Sequence, residues 1–239
     1  MADRQVVEGV WPGPITITRG RSRADARRWN DETPAGHLRL VRGSADFLAE
    51  ATATVAEYSG GLVYSPALYP SATRVWRRAG YRPFDSLIVM ERGLAARWAA
   101  PERLVEPERN PNWDRVVEID VAAFEGFWRM SGIGLAESSA ATRRGIVLTV
   151  EDGPGTVGYA IVGVDWGVAY LQRIAVMPQH SGKGIGADLL RAALNWARQE
   201  GARAVVLNVR DGADVARRLY QTHGFVDTGT RLEILGSGD

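Results

Sequence analysis

The alternation of apolar and polar positions is clearest over residues 170–198, where it predicts a strand, a turn and a helix. Residues 169–176 are apolar and β-prone apart from Gln172 and Arg173. Met177-Pro178 follows and ends the strand, because proline donates no ladder hydrogen bond. Beyond the turn, apolar residues recur every three or four positions, which predicts one buried helix face. They are Ile185, Leu189, Ala192, Ala193, Trp196 and Ala197.

Three glycines, Gly182, Gly184 and Gly186, alternate around Lys183 in the turn between this strand and this helix. Glycine lets the backbone bend and approach a ligand closely. The first N–H groups of a helix have no internal partner and lie at the positive end of its dipole. This combination favours binding of phosphate or pyrophosphate. Glycine spacing alone leaves a tight turn without a ligand as an equal alternative, because a short GxGxG match is weak.

The same patterning predicts further elements after residue 111. Helices are expected at 113–124, 135–144 and 215–222, with an aromatic-rich loop at 125–134. Strands are expected at 146–151, 157–164, 204–209 and within 225–235, and turns at 152–155 and 165–167. The strand at 204–209 follows a helical crossover and should lie parallel to the strand at 169–176. This order indicates an α+β layer around one mixed sheet.

Residues 1–93 predict a smaller first domain. Its expected strands are 15–18, 38–41, 62–64 and 81–90, and its expected helices are 21–30, 45–58 and 73–79, with Ser44 as an N-cap. Residues 94–111 change composition, with Pro101, Pro107 and Pro111 among arginines and glutamates. They predict a linker with a helical turn near 94–99, so that the second domain covers residues 112–239.

Composition indicates a globular protein and gives no sign of a disulfide framework or a metal site. The chain has 239 residues, 45% hydrophobic and 24% charged, as expected for a soluble globular protein. A net charge of +1 gives no strong field to attract nucleic acid or a membrane surface. There is no cysteine, and the three histidines are too dispersed to predict a metal site. No signal-peptide core or membrane-length apolar run is evident, so we expect a cytoplasmic protein. Its oligomeric state, monomer or homodimer, stays open.

Five segments in this order resemble the GNAT superfamily of acetyl-CoA-dependent N-acyltransferases over residues 112–235. They are the strand LQRIAV, the loop HSGKGIG, the amphipathic helix, the strand VVLNV and the segment RRLYQTHGF. The resemblance implies an α+β GNAT fold, with a mixed and mostly antiparallel central sheet flanked by helices. It also implies acetyl-CoA as the acyl donor and direct attack by an amine on the thioester, with no covalent enzyme intermediate.

The resemblance assigns the donor site to the strand and the loop. Backbone groups of Ile174, Ala175 and Val176 would hold the pantetheine arm. N–H groups of Gly182, Lys183, Gly184, Ile185, Gly186 and Ala187 would hold the pyrophosphate. The family usually has Arg or Gln before this loop, whereas this chain has Ser181, which can donate a hydrogen bond but adds no charge. Tyr220, in the family's LYxxxGF segment, would donate a proton to the departing thiolate.

The general base remains open at this stage. Related N-terminal acetyltransferases carry a glutamate at the position of Asn208, and the asparagine often found before the tyrosine is Ala213 here. Glu125 beside an aromatic cluster is a candidate, because an apolar setting raises the pKa of a carboxyl group. The alternatives are Glu137, His180, or an amine deprotonated through water.

The first domain resembles a second, degenerate GNAT-like half. Aligning Trp76 with Tyr220 also aligns Gly80 with Gly224, and the string RVWRRAGY then resembles RRLYQTHGF. The positions matching the glycine loop, 38–43, read LRLVRG. The resemblance therefore implies a degenerate half that binds no acetyl-CoA productively. An unrelated α+β appendage is the alternative.

The expected function is transfer of an acetyl group to a primary amine, which could be a protein N-terminus, a lysine or a small amine. The alternative is a non-catalytic acyl-CoA sensor or interaction module with the same fold. A third reading, NAD or ATP binding through the glycine loop, is disfavoured by the antiparallel hairpin ahead of the loop.

Overall fold

A computed structural model describes residues 4–153 and 155–238 and divides the chain into two compact units. The N-terminal unit runs to Leu87 and includes the chain again from Thr230, whereas the C-terminal unit is Ile88–Gly229. This division differs from the predicted domains. The expected linker, 94–111, belongs to the C-terminal unit, and the end of the chain belongs to the N-terminal unit.

The N-terminal unit is built on an antiparallel meander followed by a helix and a parallel strand. In chain order its elements are β1 (Val6–Gly9), β2 (Ile15–Arg19), β3 (Ser22–Arg28), β4 (Ala35–Arg42), α1 (Ala45–Ser59), β5 (Leu62–Tyr64), α2 (Thr73–Arg78) and the start of β6 (Arg82–Gly93). Strands β1 to β4 pair antiparallel, and β5 pairs parallel with β4. The end of the last strand, β12 (Val226–Gly236), pairs with β5.

One predicted helix of this unit is wrong. Residues 21–30 contain strand β3, in which Ala24 and Ala26 are buried while Arg23 and Asp25 lie on the other face. A period of two fits a strand paired on both sides, and β3 pairs with β2 and β4. The high charge of the segment hid this alternation, because its only two core-facing side chains are alanines.

The C-terminal unit contains the remaining elements. They are β7 (Glu106–Glu108), α3 (Trp113–Ala123), α4 (Gly132–Ser139), β8 (Arg144–Glu151), β9 (Thr156–Asp165), β10 (Val168–Val176), α5 (Ile185–Gln199), β11 (Ala204–Arg210) and α6 (Asp214–Thr222). Strands β7 to β10 pair antiparallel in succession. Strand β11 pairs parallel with β10, which confirms the predicted crossover.

Smaller differences from the sequence prediction concern the ends of elements. Helix α4 ends at Ser139, earlier than expected, and Arg144 already begins β8. No helical turn forms at 94–99. Pro154, in the predicted turn at 152–155, lies outside the described residues. The predicted turn at 165–167 is confirmed as a two-residue connection in which Trp166 and Gly167 both have positive φ.

Helix α5 packs its apolar face on the strands of the C-terminal unit. Its buried residues Ile185, Leu189, Leu190, Ala193, Leu194 and Ala197 belong to one hydrophobic cluster with β8 to β10. Close approach requires Gly158 on β9, since a Cβ there would stand 3.1 Å from Leu189 Cδ1. Burial of each large aliphatic side chain contributes roughly 1.5–3 kcal/mol, so this face fixes the helix on the sheet.

Residues 94–105, here called the strap, pack along α5. Arg198 Nη2 donates to the carbonyl oxygens of Leu94 and Ala96, at 2.6 and 2.8 Å. Trp98 Nε1 donates to Asn195 Oδ1 at 2.8 Å, and its ring lies under the Arg198 guanidinium. The strap then leads into β7, which pairs with β8. The segment that was expected to be a linker is therefore an ordered part of the C-terminal unit.

Two successive stretches of the chain share an order of elements. The series β2, β3, β4, α1, β5, α2, β6 has the same sequence of types as β8, β9, β10, α5, β11, α6, β12. Backbone bonds after α2 and α6 also correspond. Tyr81 N donates to Trp76 O at 3.1 Å, as Phe225 N donates to Tyr220 O at 3.0 Å.

Within the described part of the chain, no helix combines the length and the apolar character of a membrane span.

Candidate acyl-donor site

A bulge and a divergence of strands define the centre of the site. Gln172 is the extra residue where the register of β10 against β9 shifts between Leu171 and Arg173. Parallel pairing with β11 ends at Leu171 and Leu207, although β10 continues to Val176 and β11 to Arg210. Within residues 155–238, one edge of β10 beyond the bulge therefore has no strand partner.

Ile174, Ala175 and Val176 lie on this open part of β10. On the opposite edge they pair with Ala160, Tyr159 and Gly158 of β9. Backbone N–H and C=O groups need hydrogen-bond partners. Those on the edge of β10 that faces away from β9 are arranged as a free strand edge. An extended chain carrying amides could bond there as an added strand does.

The glycine loop leads from the end of β10 to α5. Gly182 and Gly184 have φ of +76° and +83°, in the left-handed region that favours glycine. Gly184 is the N-cap of α5, and no side chain caps the helix. Among the described residues, the N–H groups of Lys183, Ile185 and Gly186 have no recorded acceptor. Exposed and uncapped, this turn fits an anion such as a pyrophosphate.

Lys183 is the only lysine in the chain and lies in this loop. Its Nζ is 3.6 Å from Asp152 Oδ2 and 3.5 Å from His180 Nδ1. His180 Nδ1 is 2.8 Å from Asp152 Oδ2, and this hydrogen bond, with Lys183 nearby, lowers the pKa of the Asp152 carboxyl group. The loop lysine thus already has a carboxylate neighbour, and Ser181 beside it is neutral.

Tyr220 lies on α6 and is 5% exposed. Burial raises the pKa of its phenol to about 12, and the charge of Arg173 opposes that rise. A Cβ on Gly186 would stand 3.5 Å from Leu219 Cδ2 and 3.9 Å from Val176 Cγ2. The residue preceding Tyr220, the first turn of α5 and the end of β10 therefore meet at one place.

A buried ion pair beneath the bulge was not anticipated. Asp120 on α3 accepts from Tyr159 Oη at 2.6 Å, Arg173 Nε at 2.7 Å and Met130 N at 2.7 Å. Arg173 also donates to Trp128 O at 2.6 Å and lies over the Phe124 ring. The signal in the sequence was the pair Gln172 and Arg173 in an otherwise apolar strand. The first forms the bulge and the second neutralises Asp120.

The candidate bases occupy different places. Glu125 is exposed at the start of a short 3₁₀ turn, so the apolar setting expected for it does not form. Glu137 is exposed on α4, and His180 is bonded to Asp152. Asn208 is exposed on β11 just past the last residue paired with β10, and Ala213 precedes α6. None of the three candidate bases is buried beside Tyr220.

Comparisons with known proteins agree with this arrangement. The model of the acetyltransferase (GNAT) family matches residues 113–225. An uncharacterized N-acetyltransferase of Mycobacterium bovis is 34% identical over 110 residues, which are 45% of this chain and 69% of that protein. A putative [ribosomal protein bS18]-alanine N-acetyltransferase of Bacillus subtilis is 28% identical over 120 residues, 49% of this chain and 77% of that protein.

The fold has a counterpart among solved structures. A tandem GNAT protein from the clavulanic acid biosynthesis pathway superposes with a TM-score of 0.63 at 14% identity, covering 95% of this chain and 83% of that one. At this identity the likeness concerns the fold alone, and it confirms the predicted α+β GNAT architecture. From its site geometry, its fold and its sequence relatives, the chain belongs to the acetyltransferase (GNAT) family.

Proposed function

We propose that this N-acetyltransferase moves an acetyl group from acetyl-CoA to a primary amine, with Tyr220 as the proton donor to the leaving group. One arrangement carries the proposal. The unpaired edge of β10 leads to an uncapped, glycine-rich helix start, and α6, which bears the buried Tyr220, places Leu219 against that helix start at Gly186. Acetyl-CoA supplies a thioester, whose carbonyl carbon is the electrophile.

The donor would be held at two places, mainly by backbone groups. The free edge of Ile174, Ala175 and Val176 offers amide pairing to the pantetheine arm. Ser181 Oγ and the N–H groups from Gly182 to Ala187 offer hydrogen bonds to the pyrophosphate, supported by the helix dipole. Holding the donor at both ends restricts where its thioester lies, and such positioning lowers the entropic part of the barrier.

Tyr220 completes the transfer. As the amine nitrogen bonds to the acetyl carbon and the carbon–sulfur bond breaks, the Tyr220 hydroxyl gives its proton to sulfur. A phenol with a pKa of about 12 is fully protonated near neutral pH, so it is always available as a donor. The amine would lose its proton to water, because none of the three candidate bases, Glu125, Glu137 and His180, is buried. Glu125, a candidate base from the sequence, is exposed and could accept that proton only through solvent.

The first acceptor to test is a protein N-terminus. The support is the similarity to a protein named as a putative ribosomal-protein alanine N-acetyltransferase. Asn208 is exposed where β11 leaves β10. Its amide could bond an acceptor or a water, and it cannot take a proton at neutral pH. Lysine side chains and small amines remain in the same chemical class.

The N-terminal unit would be a second GNAT-like half without a donor site. Its element order repeats that of the C-terminal unit, and Trp76 occupies the place of Tyr220 with the same backbone bond after the helix. Only Gly43 and Ser44 join β4 to α1, whereas eight residues, 177–184, join β10 to α5. This unit therefore lacks the loop and the hydroxyl that donor binding and transfer require.

An acceptor screen with acetyl-CoA tests the proposal. The panel is a peptide with N-terminal alanine, an N-blocked peptide with one lysine, and a small aliphatic amine, with product acetylation read by mass spectrometry. We expect acetylation of at least one amine and loss of it when Tyr220 is replaced by phenylalanine. Tight binding of CoA without turnover of any acceptor would contradict the proposal and favour an acyl-CoA sensor.

A further inference from the structure

The strap brings an arginine to the glycine loop. Arg103 Nη1 lies 3.5 Å from the point where a Cβ on Gly184 would stand, and Gly184 is the N-cap of α5. The side chain is 37% exposed, so the guanidinium reaches the loop at its open surface. Arg103 is 78 residues before Ser181 in the chain, and nothing in the local sequence marks it as part of the loop.

A buried carboxylate holds this arginine in position. Asp188, in the first turn of α5, is 1% exposed and accepts from Arg103 Nη1 at 2.7 Å. It also accepts from the Glu102 N–H at 2.8 Å, and Arg191 Nη1 lies 3.4 Å away. A guanidinium has five N–H donors, and Asp188 takes one from Arg103. Because the side chain is partly exposed, its other donors could bond a second anion.

The direction of the strap explains how Arg103 arrives there. Leu94 and Ala96 are bonded near the end of α5 by Arg198, Trp98 is bonded one turn earlier by Asn195, and Glu102 is bonded in the first turn by Asp188. The strap thus runs antiparallel to α5 with contacts along its length. Its last contact, and therefore Arg103, falls at the end of the helix that faces the loop.

The loop itself is poor in free positive charge. Ser181 is neutral, and Lys183, the only lysine, lies 3.6 Å from Asp152. A pyrophosphate bound by N–H groups alone would keep most of its negative charge unpaired. Arginine suits phosphate because its planar fork can give two parallel hydrogen bonds. Arg191 lies 3.4 Å from Asp188 and 3.5 Å from Glu102, so the charges of these four side chains balance before a ligand binds. What Arg103 adds at the loop is therefore a partly exposed guanidinium with further N–H donors.

We propose that Arg103 is a phosphate-binding residue of the donor site, supplied by the strap in place of a cation within the loop. The inference rests on the proposed use of acetyl-CoA as donor. The shared chemistry is a phosphate group, which could be the pyrophosphate or the 3′-phosphate of CoA. The role assigned to Asp188 is to position Arg103 and not to touch the ligand.

The test is the dissociation constant of CoA, measured calorimetrically for the wild type and for Arg103→Gln. Glutamine keeps one donor for Asp188 but removes the charge. We expect CoA to bind at least about tenfold more weakly, the effect of losing a charge-assisted hydrogen bond, and to bind with a smaller dependence on salt. Arg97→Gln is the matched control, because Arg97 is an exposed arginine of the same strap, and it should leave binding unchanged.

Two further variants separate a direct role from general damage to the loop. Arg103→Lys should recover part of the affinity, and Ser181→Arg in the Arg103→Gln background should restore binding by returning a cation to the loop. Repeating the titrations with 3′-dephospho-CoA identifies the phosphate. An equal loss with both ligands assigns Arg103 to the pyrophosphate, and a loss with CoA alone assigns it to the 3′-phosphate.

Three results would overturn the proposal. Equal CoA affinity in wild type and Arg103→Gln would remove Arg103 from the site while leaving the acetyl-CoA assignment intact. A loss that neither Arg103→Lys nor Ser181→Arg reverses would show a structural role only. Absence of CoA binding by the wild type would overturn both this inference and the proposed function.

Discussion

Arg173 donates two hydrogen bonds to the carboxylate of Asp120, from Nε at 2.7 Å and from Nη2 at 3.0 Å. Asp120 is fully buried, and Arg173 stands next to the bulge where β10 parts from β11. The pair joins α3 to β10, the strand of the proposed donor site. It also places a positive charge whose field acts on Tyr220.

Asp120→Asn should destabilise the C-terminal unit. The substitution leaves the Arg173 guanidinium buried without its counter-charge, and breaking such a pair costs about 3–5 kcal/mol. Urea unfolding measures the change in the free energy of unfolding. Glu118→Gln is the control on the same helix, since Glu118 forms a surface pair with Arg115 and is 60% exposed. Its cost should be no more than about 1 kcal/mol, and equal costs for the two variants would contradict this view of the pair.

Tyr220 should make stability depend on pH in the alkaline range. Its folded pKa of about 12 lies above the ordinary value of 10, so the native state keeps a proton that the unfolded chain releases. The stabilising contribution is complete below pH 10 and is lost as the pH rises towards 12. Between pH 9 and 11, wild type should lose roughly 1 kcal/mol more than Tyr220→Phe. The measurement is the free energy of unfolding from urea titrations at pH 9 and pH 11. If wild type and Tyr220→Phe lost the same amount of stability between these pH values, the phenol would lie in a more solvated setting.

The single lysine allows a footprint of the glycine loop. We expect an amine-reactive succinimidyl ester to label Lys183, because its side chain is half exposed. Saturating CoA should suppress labelling several-fold, read by mass spectrometry of the peptide that contains the loop, because bound phosphates would cover the ammonium group. Pantetheine, which has no phosphate, is the control ligand and should protect much less. Unchanged labelling with CoA would argue against phosphate binding at this loop.

Each chain should bind one molecule of acetyl-CoA. The connection from β4 to α1 consists of Gly43 and Ser44 alone, so it contains no counterpart of the glycine loop between β10 and α5. Calorimetry should therefore give a stoichiometry of one acetyl-CoA per chain. Gly184→Glu should remove this binding entirely, because φ at Gly184 is +83° and a carboxylate would repel phosphate. A stoichiometry of two, or one remaining site in Gly184→Glu, would show that the N-terminal unit has kept a donor site.

Local signals in the sequence were sufficient to predict most helices and strands of the C-terminal unit. Met177-Pro178, the glycines of the loop and the apolar period of α5 predicted the strand, loop and helix that we propose as the donor site. The charged strand β3 was mistaken for a helix, because only Ala24 and Ala26 carry its alternation. The roles of Arg103 and Asp120 depend on partners 85 and 53 residues away. No local pattern reports such distant contacts, and prolines with arginines and glutamates made the strap resemble a linker.

The central claim is that Tyr220 donates a proton during acetyl transfer, and it is tested most directly by the rate of acetyl transfer in Tyr220→Phe. With an acceptor found in the screen, kcat should fall about 100-fold or more, as for loss of a general acid. The dissociation constant of acetyl-CoA should change less than about twofold, because the phenylalanine keeps the packing of the ring beside Phe225. Tyr69→Phe, at an exposed tyrosine, should transfer at the wild-type rate. Acetyl transfer at an unchanged rate in Tyr220→Phe would contradict the account.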